Sequence, residues 1–524
     1  VVASSSRRLS TESAVDFTTG DILADNATRH PQRTAYKLGA RSLSHSELYS
    51  RAVQLVTALA ATGVGRQDRV ALLSRNSIEF GELMAAAQLS GIIVAPINFR
   101  LSQPEVQDAL CRVMPAVLVC ESEFVPMISG IRDAVPDLKY VVTIGAAAGG
   151  DSVDYEDFMA SGEGGQLPYA ARPDDLLYLV STSGTTGASK YCMIGQREWA
   201  KVAWAMNAEL RAGCDDRMLV TMPTFHAGAI GLIAAIHARG GAAILQRQYD
   251  PAEAVNLLAS EQITIMHQAP VMLQAMLNAA EASARFESVR VVMYAAAPMS
   301  IHTLRQALQT MPAAGFLNLY GLSEGAVTSL PPELHTHEAD AANILRSVGF
   351  PLPGLRIRIV DDAGREVAAG AAGEITIRSD SLFRGYWNDH AATLKVLRDG
   401  WFHTGDVGHI DDRGLLHLLD RKKDIIVSGG ENVYSPEVED VVRELPEIQA
   451  CAVVGAPDER WGETVCAVVV IRPGASLTLS ALQTHVRSRL GGFKVPRRLE
   501  IVDELPLLAT GKVDKKRLRA RISV

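Results

Sequence analysis

No two of the six cysteines, at positions 111, 120, 192, 214, 451 and 466, stand in a CxxC pair, and none falls in a Cys/His ligand spacing. That pattern argues against a structural zinc site and reads as reduced thiols in a cytoplasmic setting. No apolar core of signal-peptide length follows the start, VVASSSRRLSTES, so residues 1–14 are expected to form a flexible leader. No segment approaches the roughly 18 uninterrupted apolar residues that span a bilayer, which excludes an integral membrane segment. Positive charge is not in excess either. The net charge of -8 provides no general basic field to draw the chain to nucleic acid or an anionic membrane. Internal repeats and long low-complexity tracts are likewise missing.

What remains is the balance of a globular protein, with 48% hydrophobic and 21% charged residues. At 524 residues the chain exceeds one ordinary core and should divide into several folding units. From about 15 to 175, helical patterns alternate with short strands, as in SHSELYSRAVQLVTALAATG, DRVALLS and GIIVAPIN. The rhythm continues to Gly354 through LLYLVS, AAILQ, ITIMHQ, VRVVMY and FLNLYG, which indicates α/β layers. Between about 354 and 420 the strands and turns become closely spaced, predicting a β-rich subdomain. A short charged link at 421–424 then precedes a compact unit at 425–524. That unit contains the hairpin-like CAVVGAPDERWGETVCAVVVIRPG and a helix with Leu479, Leu482, Val486 and Leu490 on one face. The expected fold class is α/β: a large N-terminal body over 15–420, made of two α/β layered subdomains plus the β subdomain, with a small mobile α+β C-terminal domain.

One loop carries chemistry on its face. LVSTSGTTGASKYCM, Leu179 to Met193, combines glycines that let backbone N–H groups converge on an anion with hydroxyls and a lysine. It is not a Walker loop, which needs four residues between its glycines and a Lys-Ser/Thr pair directly after the second. The strand-like YCMI after the lysine predicts a loop between two strands, so an anion would be held by amides and hydroxyls with little help from a helix dipole.

Thr182, Ser183, Gly184, Thr185, Thr186, Gly187 and Lys190 resemble the phosphate-loop signature of the adenylate-forming superfamily, in its branch of acyl-CoA synthetases and fatty-acid–CoA ligases. Four further motifs agree in family order: YGLSE at Tyr320–Glu324, WFHTGD at Trp401–Asp406, DRKKDIIVSGGENVYSPEVE at Asp420–Glu439, and TGKVDKKRL at Thr510–Leu518. The resemblance covers most of the chain from Leu179 onward. It implies that a carboxylate attacks the α-phosphate of ATP and pyrophosphate leaves, which calls for cations and donors and no protein nucleophile.

Residue by residue, the resemblance assigns Lys512 to bridging carboxylate and α-phosphate, and Glu324 to Mg²⁺. The loop residues take the β- and γ-phosphates and Ser323 the α-phosphate. Asp406 and Arg421 take the ribose, and Asn318, Tyr320 and Gly321 the adenine side. Lys423 is the hinge between adenylating and thioester-forming orientations, and Gly429 and Gly430 line the CoA tunnel. In MPTFHAGAIG, His226 occupies the place where amino-acid-activating relatives carry an aspartate, which disfavours an α-amino acid and puts His226 near the substrate carboxylate. Ala227, Gly228 and Ala229, with Ala295, Ala296 and Ala297, would leave an apolar, roomy acyl pocket for a medium- or long-chain fatty acid or a bulky aryl or alicyclic acid.

Two positions in the loop depart from the family pattern, Ser189 where proline is usual and Tyr191 where glycine is usual. Expected cofactors and partners are ATP, Mg²⁺, CoA as co-substrate and a small carboxylic acid; a homodimer is left open. Transfer to a separate carrier protein and a degenerate non-catalytic relative stay open as alternatives to CoA ligation.

Overall fold

The computed structural model describes residues 17–145, 152–182, 189–280, 286–341, 343–507 and 513–522. The leader therefore lies outside the described residues, as do positions 183–188 of the phosphate loop and Lys512. Among the described residues no helix is long and apolar enough to cross a membrane, and all six cysteines are free.

Two large sheets form the body. A seven-stranded sheet takes the spatial order Ser152–Asp154, Tyr140–Ile144, Val117–Glu121, Arg69–Leu73, Ile93–Ile97, Leu176–Ser181, Tyr191–Gly195. All its neighbours are parallel except the last pair, which is antiparallel. The apolar runs VLVCE and IVAPI are buried at every position, as expected of strands covered on both faces. A nine-stranded sheet has the parallel strands Arg217–Val220, Ala242–Leu245, Ile265–Gln268, Val291–Ala295 and Gly315–Leu322 in its middle.

Helices fill the space between and around the sheets. His45–Ala61 starts from Ser44, whose hydroxyl accepts from the Glu47 N–H while the Glu47 carboxylate accepts from the Ser44 N–H, a reciprocal cap read from SHSE in the sequence. Ile78–Ser90 is buried on nearly every face, and so is most of Ala227–His237. Helices apolar all round belong inside a core.

A five-stranded sheet follows, built from Arg356–Val360, Gly373–Arg378, Leu397–Arg398, Trp401–Ile410 and Leu416–Arg421. In its last hairpin Asp406 stands directly opposite Arg421. The remaining chain forms its own five-stranded sheet over Ile426–Ile501, dominated by the long hairpin of Ile448–Asp458 and Gly462–Ile471. One face packs Val438, Val442, Leu482 and Val486 from two helices; the other packs Leu518 from a third.

Hydrogen bonds and ion pairs join this last unit to the body. The Ser435 N–H and hydroxyl donate to Asp420 at 2.8 and 2.7 Å. Within the unit, the Lys515 ammonium donates to Ser435 Oγ at 2.5 Å and pairs with Glu439 at 2.7 Å, which braces the segment that reaches Asp420. Arg346 faces Asp440 at 3.5 Å.

Candidate active site

A cleft of about 2150 Å³ opens along this junction. Its walls include Asn318, Tyr320, Gly321, Asp406, Arg421 and Lys423 on one side and Tyr434, Glu437, Lys494 and Lys515 on the other. The volume exceeds the few hundred to 1,000 Å³ of ordinary small-molecule pockets, as a site for two or three substrates requires.

Its most constrained group is Asp406. The Tyr320 hydroxyl donates to Asp406 Oδ2 at 2.7 Å in a buried bond, and Arg421 Nε lies 3.3 Å from the other oxygen, Oδ1. Burial, followed by the neighbouring Asp406 charge, pushes the Tyr320 hydroxyl well above the ordinary phenol range, so it stays a donor. A fixed carboxylate at a cleft wall is a ready acceptor for neighbouring hydroxyls. The Tyr320 ring also lines the cleft, and the Asn318 side-chain amide donates to Ser347 O at 3.2 Å.

Glu324 lies in the turn between Gly315–Leu322 and Gly325–Leu330, with the half-buried Ser323 beside it. It is buried, and Tyr386 donates its hydroxyl to Glu324 Oε1 at 2.7 Å. Burial holds the Glu324 carboxyl above the ordinary range; Tyr386, and then the charge of Arg421, work in the opposite direction. The Lys190 ammonium stands 4.9 Å from the centre of the Tyr386 ring, a cation–π distance. Lys190 and Glu324 are thus gathered around one tyrosine that sequence reasoning missed. Its only local signal is a glycine followed by two aromatics, Gly385-Tyr386-Trp387.

The phosphate loop does join two strands: Leu176–Ser181 pairs antiparallel with Tyr191–Gly195, and the Thr182 N–H donates to Lys190 O at 2.8 Å. Ser183, Gly184, Thr185, Thr186 and Gly187 lie outside the described residues. The Tyr191 side chain is buried among Leu179, Ile97 and Met193. Its bulk is absorbed by the core.

Of the residues expected to form the acyl pocket, His226, Ala296 and Ala297 line the cleft. Of the other small residues only Gly228 is exposed, and none of them lines the cleft. Ala229 is fully buried in the core, Ala227 packs against the same core and Ala295 is buried at its strand end. Gly228 sits over His267, where a Cβ would lie 3.7 Å from His267 Cε1. His226 immediately precedes the helix Ala227–His237 and its ring lies against Phe225, with centroids 4.3 Å apart. The pocket is therefore less uniformly apolar than its small residues suggest.

Lys423 occupies the exposed turn after Arg421. On either side of it, Lys422 pairs with Asp362 and Glu374, and Arg519 holds Asp424 at 2.6 Å. Gly429 and Gly430 form the tight turn between Ile426–Ser428 and Glu431–Val433, with φ of 63° and 87°. A Cβ on Gly429 would lie 2.5 Å from the Trp461 ring, so glycine is required there by both conformation and space. Neither glycine is part of the cleft wall.

Comparison with known proteins agrees with this geometry. The model of the AMP-binding enzyme family matches residues 23–387, and that of the AMP-binding enzyme C-terminal domain matches residues 437–512. A feruloyl-CoA synthase from Amycolatopsis sp is 34% identical over 502 residues, covering 94% of this chain and 97% of that one. A fatty acid–[acyl-carrier-protein] ligase from Streptomyces coeruleorubidus is 32% identical over 503 residues, with 95% of each chain covered. Among solved structures, the amide bond synthetase McbA from Marinactinospora thermotolerans superposes with a TM-score of 0.85 at 28% identity, over 97% of this chain and all of that one. With a Tyr320–Asp406–Arg421 group at the cleft and family matches along most of its length, the chain belongs to the AMP-binding enzyme family, in the acyl-CoA synthetase branch of the adenylate-forming superfamily.

Proposed function

We propose that the protein activates an apolar-bodied carboxylic acid with ATP and transfers the acyl group to CoA. The observation that carries this reading is the buried carboxylate of Asp406, held by Tyr320 and Arg421 at the wall of the cleft. It is poised to accept from both ribose hydroxyls. A carboxylate oxygen of the substrate attacks the α-phosphorus, the bond to the β-phosphate oxygen breaks, and pyrophosphate leaves. The CoA sulfur then attacks the acyl carbon; AMP departs and the thiol proton passes to solvent.

Lys190 supplies positive charge beside the phosphate loop, and Lys512 would bring an ammonium to the meeting point of carboxylate and α-phosphate. Glu324, a buried carboxylate, would hold Mg²⁺, which commonly uses one or two protein carboxylates. The ion, when bound, neutralises charge on the phosphates. His226, Ala296 and Ala297 would face the acyl group, consistent with a medium- or long-chain fatty acid or a bulky aryl or alicyclic acid. Lys423 would be the pivot that exchanges the two half-reactions, and the turn at Gly429 and Gly430 would then approach pantetheine.

The test is acid-dependent ATP/pyrophosphate exchange over straight-chain, aryl and alicyclic acids, followed by thioester yield with CoA. Lys512→Ala should abolish exchange and retain nucleotide binding. Absence of exchange with every acid would favour a non-catalytic binder. Similarity to an acyl-carrier-protein ligase supports a second reading, in which the acceptor is a carrier protein. Exchange without any thioester on CoA would favour it.

A further inference from the structure

His267 lies in the middle strand Ile265–Gln268, opposite Met293 of Val291–Ala295. Side chains alternate along a strand. Met266 belongs to the core on one face, whereas Ile265 belongs to the core shared with Ala229, Ile230 and Ile233 of the helix Ala227–His237. The His267 ring therefore faces that helix, where Gly228 offers no side chain to cover it. His226, one residue before the helix, and Ala269, two residues beyond His267, both line the cleft, so the imidazole lies one layer below the cleft floor.

The ring is buried, with 4% of the residue exposed, and neither of its nitrogens has a hydrogen-bond partner among the described residues. Buried polar groups are ordinarily satisfied, and an exception in a native fold calls for an explanation. A structural histidine would be tied to a backbone carbonyl, as His45 is to Gly240 and His237 to Ala35. His267 has no such tie, and it lies beneath the pocket that the small residues open.

We propose that His267 is a specificity-determining residue, and that the acid this enzyme activates carries a neutral hydroxyl or carbonyl group remote from its carboxylate, which hydrogen-bonds the His267 ring. The inference rests on the acid-activating reading above and names the substrate class for the same site. Burial drives the imidazole's affinity for a proton down to about 4, so at neutral pH it presents one donor and one acceptor. A hydroxyl can serve either nitrogen. A second carboxylate would meet an uncharged, buried partner and be disfavoured.

The test uses matched acids differing by one hydroxyl: phenylpropanoate against its ortho-, meta- and para-hydroxyphenyl counterparts, and octanoate against its terminally hydroxylated form. The readout is kcat/KM for pyrophosphate exchange. The full-length enzyme should favour at least one hydroxylated member over its parent by about tenfold or more, since a site built to bond a hydroxyl rejects the analogue lacking it. His267→Leu should erase or invert that ratio, and His267→Gln, which keeps a donor and an acceptor, should restore part of it. Equal ratios in the unsubstituted enzyme would overturn the proposal and leave acid activation standing. A preference that survives in His267→Leu would overturn it as well, by placing the bond elsewhere. Failure of exchange with every acid would overturn the acid-activating reading, and this inference with it.

Discussion

The Tyr386 hydroxyl donates to Glu324 Oε1 at 2.7 Å, joining two residues 62 positions apart in a bond buried from solvent. Burial raises the Glu324 carboxyl, and Tyr386 is the largest of the influences that lower it. A Glu324→Gln protein loses the charge yet keeps an acceptor for Tyr386. In the absence of nucleotide the folded state of Glu324 binds its proton more tightly than the unfolded chain does. The burial cost is therefore missing below the ordinary carboxylate range and grows as pH rises through the raised folded value. Glu324→Gln should match the parent in stability at acidic pH and exceed it at neutral pH, as followed by denaturant midpoints. Its exchange rate should nonetheless fall about 100-fold or more, the scale of losing an electrostatic contact to the reacting phosphates. Equal stability at both pH values would contradict the burial account.

Tyr320 acts on Asp406 through a single oxygen. In Tyr320→Phe the ring that lines the cleft is retained, but Asp406 loses its 2.7 Å donor and keeps only Arg421 at 3.3 Å. A hydrogen bond to a charged group is worth about 1.5 to 3 kcal/mol, so KM for ATP should rise about tenfold or more, with kcat falling less. An unchanged KM for ATP would show that the hydroxyl does not position Asp406.

Much of the fold is legible in the chain because buried parallel strands are written as continuous apolar runs. LLYLVS and VRVVMY lie where their composition puts them, and the hairpin around Gly462 follows from two long runs of valine and alanine. The site is legible only where its parts are near in sequence. Asp406 and Arg421 face each other across one hairpin, but the bond from Tyr320 to Asp406 spans 86 residues, and no local period encodes it. The run Ala227-Gly228-Ala229 reads as three pocket residues, yet successive helix positions turn by about 100°, which sends Ala229 into the core and Gly228 over His267. His267 itself is hidden in an apolar strand, ITIMHQ. Tyr191 stands where the family loop usually has glycine; as the first residue of a strand it turns its ring into the core.

Ala296 stores a small strain at the cleft wall. Its φ is +74°, a left-handed conformation that costs an L-residue with a Cβ about 1 kcal/mol or more. Glycine would relieve this, at some expense in unfolded-chain entropy. Ala296→Gly should therefore be neutral to stabilising by up to about 1 kcal/mol, whereas Ala296→Val should destabilise, because a branched side chain is least tolerant of that region. Thermal unfolding of the two variants decides the matter. Destabilisation by glycine would mean that the alanine methyl supports packing that outweighs its backbone strain.

Lys423 stands between two fixed points. Lys422 is paired with Asp362 and Glu374, and Asp424 is held by Arg519 at 2.6 Å. A rotation of the last unit about this turn must break the contacts from Ser435 to Asp420 and from Arg346 to Asp440, all of them polar and exchangeable with water. Substitution by proline would lock φ near -65° at this position, proposed above as the pivot, and oppose such a rotation. Lys423→Pro should keep acid-dependent pyrophosphate exchange within about threefold and reduce CoA thioester formation by about 100-fold, because the conformational step lies between the half-reactions. The two rates are measured on the same preparation. Parallel loss of both would locate the effect in folding of the turn, and parallel retention would move the pivot away from Lys423.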